Sequence, residues 1–93
     1  MSLEELTTKY IASAEKVLNE MRLTKGPLTV EETDISAIVD YVRPYLADAK
    51  YYKAHRRLET SLTSIAYCEG LLDALRLLGA VKFEWSAKPI DGS

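Results

Sequence analysis

The sequence predicts an all-α fold, a three-helix domain dominated by a long antiparallel helical hairpin. Three segments carry apolar residues at steps of three and four, which is the spacing of one face of a helix. Capping signatures and turn residues bound these segments. A chain of 93 residues has room for one domain. We therefore assign residues 1–85 to a single helical domain and residues 86–93 to a flexible C-terminal tail.

The first predicted helix spans residues 3–21. Ser2 is placed to be its N-cap, and Glu5 three residues later completes the capping-box signature. The apolar residues of this helix share one stripe, namely Leu3, Leu6, Tyr10, Ala14, Val17 and Met21. The segment Lys25-Gly26-Pro27 then interrupts the helical pattern. We expect the stripe to pack across the hairpin formed by the other two helices.

The second predicted helix spans residues 30–55, with Thr29 and Glu32 as its capping box. Its apolar face is continuous and consists of Ile35, Ile38, Val39, Val42, Tyr45, Leu46, Ala49 and Tyr52. Pro44 lies inside this span, on the side opposite the apolar face, where water can satisfy the carbonyl of Asp40. Because the apolar spacing continues unbroken across Pro44, we predict one kinked helix and not two short ones.

The third predicted helix spans residues 58–78, after a hairpin turn at Arg56-Arg57, and Gly79 is placed for the left-handed position that ends it. Its second half is apolar over most of its circumference, which is typical of a central helix. The segment Val81–Trp85 then alternates like a strand, although one isolated strand is not stable. It either lies extended against the helices or pairs with another chain.

Composition and charge exclude several classes of protein. The chain is 47% hydrophobic and has a net charge of −2, which argues against disorder and against broad binding to phosphate backbones. A single cysteine, Cys68, allows no intramolecular disulfide. The N-terminus lacks the pattern of a signal peptide, and no apolar run is long enough to span a bilayer. We expect a cytoplasmic protein without a membrane partner.

Two segments of the hairpin carry a family resemblance: Tyr45-Leu46-Ala47-Asp48-Ala49-Lys50-Tyr51-Tyr52, and residues 64–79, whose most specific part is Tyr67-x-Glu69-Gly70-Leu71-Leu72-Asp73-Ala74. Over roughly residues 35–85 the chain resembles a small archaeal family catalogued as a domain of unknown function, number 357. The resemblance implies a helical hairpin, an archaeal source and a cytoplasmic setting. It implies no reaction. Members are sometimes joined to nucleotidyltransferase-like domains, which suggests an accessory role.

The hairpin turn departs from this resemblance. Such proteins often have Gly-Asp at the turn, whereas this chain has Arg56-Arg57, which makes the turn more basic and puts its local shape in doubt. The chain also looks distantly like the helical nucleotide-binding HEPN domains, whose catalytic members use an Arg followed by a His after a short gap. Here the only histidine, His55, precedes both arginines. We therefore do not carry ribonuclease activity over.

Three charged residues, Glu69, Asp73 and Arg76, are spaced by four and three and share one strip of the third helix. One interpretation is a pair of carboxylates that binds a cation or a basic partner. The other, which we favour, is an internal ion pair of Arg76 with Asp73 or with Glu69, because unpaired charge near a core is costly. We predict no metal, cofactor or catalytic residue.

A basic cluster of Lys50, Lys53, His55, Arg56 and Arg57 ends the second helix. The candidate interaction or anion site that we assign there comprises Lys50, Tyr51, Lys53, Arg56 and Arg57. Positive charge at a helix C-terminus complements the dipole, and this accounts for most of the cluster. A sharper interpretation is a site for an anion, because the turn leads to the free N–H groups that begin the next helix. The exposed Tyr51 fits either a protein interface or base stacking.

These observations predict a non-enzymatic protein-interaction or accessory module, with an unidentified protein partner or self-association. The alternative is an RNA- or nucleotide-binding accessory domain that uses the turn from Lys50 to Arg57. An enzyme built on Glu69 and Asp73 ranks last, because the sequence shows no nucleophile–base pair and no common catalytic motif.

Overall fold

The computed structural model describes residues 1–85 as three helices, and these residues contain no strand. The helices are α1 (Leu3–Glu20), α2 (Glu32–Ala54) and α3 (Leu58–Leu77). The all-α prediction is confirmed, and the predicted helix ends lie within two residues of the observed ones. The predicted flexible tail, residues 86–93, lies outside the described residues.

The start of α1 has the capping box that the sequence predicts. The Ser2 N–H donates to Glu5 Oε1 at 2.8 Å, and the Glu5 N–H donates to Ser2 Oγ at 3.0 Å. These reciprocal bonds satisfy two backbone donors that a helix start would otherwise leave unpaired. At the other end Met21 is extended, with φ −67° and ψ 151°, so the chain leaves the helix without a turn.

The expectation that α1 packs across the hairpin is wrong. α1 makes no contact with α2 or α3, and none of its residues is buried. The apolar stripe was expected to be core and is instead exposed. The physical reason lies in the connections: three residues join α2 to α3, whereas eleven residues, beginning with the extended Met21, join α1 to α2. The hairpin closes its own core, and nothing local directs α1 onto it.

α2 begins two residues later than predicted. Its N-cap is Glu31, whose N–H donates to Asp34 Oδ2 at 2.9 Å, so the Thr29–Glu32 capping box is wrong. Asp34 takes the role that the sequence assigned to Glu32, because it stands three residues after the N-cap Glu31 and its carboxylate accepts the N-cap N–H. The helix runs without a break through Pro44, as the unbroken apolar spacing predicts.

The hairpin core lies between α2 and α3 and is narrow. Its fully buried residues are Val42, Ala49, Cys68 and Leu75. Two bonds cross between the helices: Ser61 Oγ donates to the Ala49 carbonyl at 2.7 Å, and Cys68 Sγ donates to the Val42 carbonyl at 3.6 Å. Small side chains at the contact allow the backbones to approach, so short hydroxyl and thiol groups reach carbonyls of the facing helix.

Positive backbone φ angles shape both ends of α3. Arg56 in the hairpin turn has φ +60°, and the Arg57 N–H donates to the Tyr52 carbonyl at 2.8 Å. Gly79 has φ +78° after the C-terminus of α3. There the Gly79 and Ala80 N–H groups donate to the carbonyls of Arg76 and Leu75, which is a Schellman motif. The predicted left-handed glycine is therefore in place.

Leu75→Ala tests the hairpin core. Leu75 is 2% exposed, so its truncation leaves a cavity between the helices, and we expect the free energy of unfolding to fall by about 2–4 kcal/mol. Urea unfolding followed by circular dichroism measures the change. Leu77→Ala is the matched control, because Leu77 is 73% exposed on the same helix. We expect this variant to change the free energy of unfolding by less than about 0.5 kcal/mol. Equal losses for the two variants would contradict the assigned core.

Arg56→Gly tests the strain in the hairpin turn. A residue with a Cβ is disfavoured at φ +60°, whereas glycine adopts this conformation freely. We expect the free energy of unfolding to rise by about 0.5–1 kcal/mol, the flexibility of glycine in the unfolded chain offsetting part of the gain. Arg57→Gly, where φ is −101°, is the control that removes a similar charge and gives no gain. A destabilised Arg56→Gly would show that the arginine side chain matters more than its backbone.

Candidate functional site

The predicted basic cluster lies around the hairpin turn, on the outer surface of the molecule. The Tyr51 and His55 rings stack at 4.0 Å between centroids, and His55 Nδ1 donates to the Tyr51 carbonyl at 2.8 Å. The Arg57 guanidinium lies 5.2 Å from the centre of the Tyr52 ring. Within residues 1–85, Lys50, Lys53 and the two turn arginines form no ion pair. Their positive charge is therefore directed to solvent.

The turn also borders an open groove of about 400 Å³. Its lining consists of Arg56, Arg57, Leu58, Glu59 and Thr60. The backbone N–H groups that begin α3 lie at this groove, and the Ser61 N–H is already bonded to the Arg57 carbonyl. The fold brings the five residues of the predicted site, Lys50, Tyr51, Lys53, Arg56 and Arg57, to one end of the hairpin. All five side chains remain exposed to solvent.

The predicted charged strip forms a different cluster, which we call the Asp73 cluster and which comprises Asp73, Arg76, Phe83 and Trp85. One oxygen, Asp73 Oδ1, accepts from Arg76 Nη2 at 2.8 Å, from Arg76 Nε at 3.0 Å and from Trp85 Nε1 at 3.0 Å. The Phe83 and Trp85 rings meet edge to face at 4.9 Å, and the Arg76 guanidinium lies 5.9 Å from the Phe83 ring. Glu69 is exposed and takes no part in these bonds.

The Asp73 cluster decides how the segment after α3 is placed. Val81–Trp85 is not a strand and folds back onto the last turns of α3 in the same chain. The indole N–H of Trp85, followed by the Arg76 guanidinium, lowers the pKa of Asp73, because both donate to its ionised carboxylate. The Asp73 carboxylate therefore anchors the segment Val81–Trp85. Its Oδ1 atom already accepts hydrogen bonds from two side chains, those of Arg76 and Trp85.

Three tyrosines pack together on one side of the hairpin, which we call the tyrosine face. The Tyr45 ring lies 4.6 Å from that of Tyr67 and 5.6 Å from that of Tyr41. Interaction with the Tyr41 hydroxyl raises the pKa of both Tyr45 and Tyr67. The Tyr45 and Tyr67 phenols therefore stay neutral at physiological pH. The three rings link α2 to α3 by aromatic packing.

The opposite side of the hairpin carries leucines, and we call it the leucine face. It comprises Leu46 of α2 and Leu58, Leu62 and Ile65 of α3, the last three spaced by four and three along one helix face. Leu58 and Leu62 are 63% and 68% exposed. A set of leucines this open on a small domain is an unpartnered apolar surface.

The stripe of α1 is an apolar surface that the fold of residues 1–85 leaves uncovered. Leu3, Tyr10, Val17 and Met21 are each more than half exposed, and Leu6 is half-buried. The sequence shows this stripe clearly, but sequence reasoning assigned it to the core and missed its role as surface. The sequence feature that could have distinguished a buried stripe from an exposed one is the eleven-residue connection to α2, which does not hold α1 against the hairpin.

Reactive chemistry has little support among residues 1–85. Burial of the Cys68 thiol raises its pKa, so the sulfur is a packing group and a poor nucleophile. No three acidic, His or Cys side chains of this part of the chain come together as metal ligands. None of the described helices is long and apolar enough to cross a bilayer.

The fluorescence of Trp85 is expected to report the protonation of Asp73. Trp85 is the only tryptophan, and the lowered pKa of Asp73 means that its contacts are complete above the unfolded-state value of about 3.9. As the pH falls through the folded-state value, the carboxyl is protonated, the segment is released and that stabilisation is lost. We expect an emission change below about pH 4 that precedes the loss of helix seen by circular dichroism.

Asp73→Asn is expected to show the acid-form emission already at pH 7, because a neutral amide replaces the ionised carboxylate and weakens its bonds to Arg76 and Trp85. Glu69→Gln removes a carboxylate from the same strip and is the matched control, which should keep the transition. An emission spectrum of the unmodified protein that is constant until the helices unfold would contradict the anchoring role of Asp73.

Comparison with known proteins gives one match. A family described as "Protein of unknown function (DUF357)" matches residues 9–81, from the first half of α1 to just beyond α3. No curated protein and no solved structure matches the chain. The matched region contains the hairpin, the basic turn and the Asp73–Arg76 pair. The chain therefore belongs to the DUF357 family, whose function is unknown.

Proposed function

We propose that this protein is a non-enzymatic, cytoplasmic interaction module that binds another protein chain through the apolar stripe of α1. The observation that carries the proposal is the position of α1, an amphipathic helix that makes no contact with the rest of the fold. In this proposal the role of the protein is accessory, because the protein binds a partner and carries out no reaction of its own.

An isolated helix needs a partner for physical reasons. α1 has 18 residues, only slightly more than the about 12–15 residues below which isolated helices are marginal in water even when their sequences favour helix. Its capping box fixes one end, but most of the stability of protein helices comes from packing an apolar face. Covering the stripe of α1 supplies that packing and removes apolar area from water at about 25 cal/mol per Å².

The surface of the whole chain supports the same proposal. The chain exposes 8438 Å², whereas a compact monomer of its 10.4 kDa exposes about 5,400 Å². Its radius of gyration is 16.3 Å, compared with about 12 Å for a compact chain of this length. The excess surface, about 3,000 Å² on one chain, is more than the roughly 800 Å² that each partner buries in a standard protein interface.

A second candidate is binding of RNA or a nucleotide at the basic cluster. The observation in its favour is the set of four cations without ion pairs in residues 1–85, beside the exposed Tyr51–His55 stack. Aromatic rings next to basic groups can stack bases while the basic groups contact phosphates. The affinity of such a site for nucleic acid falls steeply as the salt concentration rises. The overall charge of −2 and the open shape of the groove make this the weaker proposal.

Val17→Glu tests the proposed function, with Ala12→Glu as its matched control. Both positions are exposed on α1, Val17 in the stripe and Ala12 on the opposite face, so both variants add one carboxylate to the same helix. We expect the tagged chain to retain a protein, a second copy included, from a lysate of its source cells. Val17→Glu should lose at least nine-tenths of that protein, whereas Ala12→Glu keeps it. Equal retention by the two variants would contradict the proposal.

Nuclease treatment of the same lysate separates the two candidates. Retention that survives nuclease and depends on Val17 supports protein binding. Retention that disappears with nuclease, and that Arg56→Glu with Arg57→Glu abolishes, assigns the function to the basic cluster instead.

A further inference from the structure

We propose that the chain which covers the α1 stripe is a second copy of this protein, with α1 of each copy lying on the leucine face of the other. This inference rests on the proposed function, because it names the partner of the same stripe. Two uncovered apolar surfaces occur in one chain, the α1 stripe and the leucine face, and each has the helical geometry that the other needs. Reciprocal exchange covers both.

The α1 helix is short enough to lie along the hairpin. α1 is about 27 Å long and α2 about 35 Å, so α1 fits alongside α2 without projecting beyond it. The most exposed leucines, Leu58 and Leu62, lie near the turn, where α2 ends and α3 begins. The other end of α3 is already occupied by Phe83 and Trp85 of the Asp73 cluster. The open part of the leucine face thus lies at the turn.

Charge sets the direction in which α1 would lie. With α1 antiparallel to α2, Glu4 comes beside the end of α2 that carries Lys50 and Lys53, which share a helix face with Leu46. In the same register Glu15 comes beside Arg43, whose weak contact with Asp40 is 3.5 Å and exposed. Glu4 and Glu15 lie on one flank of the α1 stripe, three helical turns apart. The opposite direction would place Glu4 beside the acidic start of α2.

The connection after α1 favours a second copy over the same chain. Met21 is extended, and the residues that follow lead away from α1 without a helical turn. The surface of one chain exceeds that of a compact monomer by about 3,000 Å², and obligate dimers bury about 1,000–2,500 Å² of surface on each chain. Exchange of an identical element between copies is a low-cost route to such a dimer.

The mass of the full-length protein and a disulfide trap test the exchange together. Light scattering after size exclusion should give twice the 10.4 kDa of one chain. A chain with Glu4→Cys, refolded with a tagged chain carrying Lys53→Cys and oxidised, should give a mixed covalent dimer. Asp34→Cys, at the far end of α2, replaces Lys53→Cys as the matched control and should not link. The native thiol Cys68 is buried, so it does not compete.

Each outcome decides between the alternatives. A dimer in which Glu4→Cys links to Lys53→Cys of the other chain, and whose dissociation constant rises at least about tenfold on Val17→Glu, supports the exchange. A monomer in which a single chain carrying both Glu4→Cys and Lys53→Cys links within itself overturns the exchange in favour of closure onto the same hairpin. A monomer that still retains a different protein through Val17 overturns the exchange and leaves the proposed function standing. A monomer that retains nothing overturns both.

Discussion

The close approach of α2 and α3 along a line of small residues is the constraint on which the rest of the structure depends. Ala49, Ser61 and Cys68 bring the helices near enough for a hydroxyl and a thiol to reach carbonyls of the facing helix. A contact this narrow buries few side chains and leaves the larger ones on its two sides. The tyrosine face, the leucine face and the docking position of Phe83 and Trp85 all follow from it.

The two faces of the hairpin differ in the contacts that their side chains make within the chain. On the tyrosine face the aromatic rings contact one another across the two helices, although Tyr41 and Tyr67 remain 53% and 43% exposed. On the leucine face the side chains at the turn have no such neighbours, while Asp73 holds Phe83 and Trp85 over the other end. The uncovered part is adjacent to the basic cluster, which supplies a charged border to an apolar surface.

Local signals made much of this fold predictable. The Ser2–Glu5 capping box, the uninterrupted apolar spacing across Pro44 and the glycine after α3 depend on neighbours within a few residues, and each is found in the structure. The packing of α1 depends on residues far apart in the chain, and the stripe alone does not say which surface covers it. The shared acceptor at Asp73 was beyond prediction for the same reason, since Trp85 reaches it from twelve residues away.

The three-residue connection between α2 and α3 has a consequence for how the molecule is made. Contacts across the hairpin close a short loop, so they form quickly once both helices exist. α1 is synthesised before either helix of the hairpin, and its stripe waits until the whole hairpin has left the ribosome. During that interval the stripe is open to any neighbouring nascent chain. On a polysome the nearest such chains are copies of the same protein, so the self-association proposed above would begin during translation.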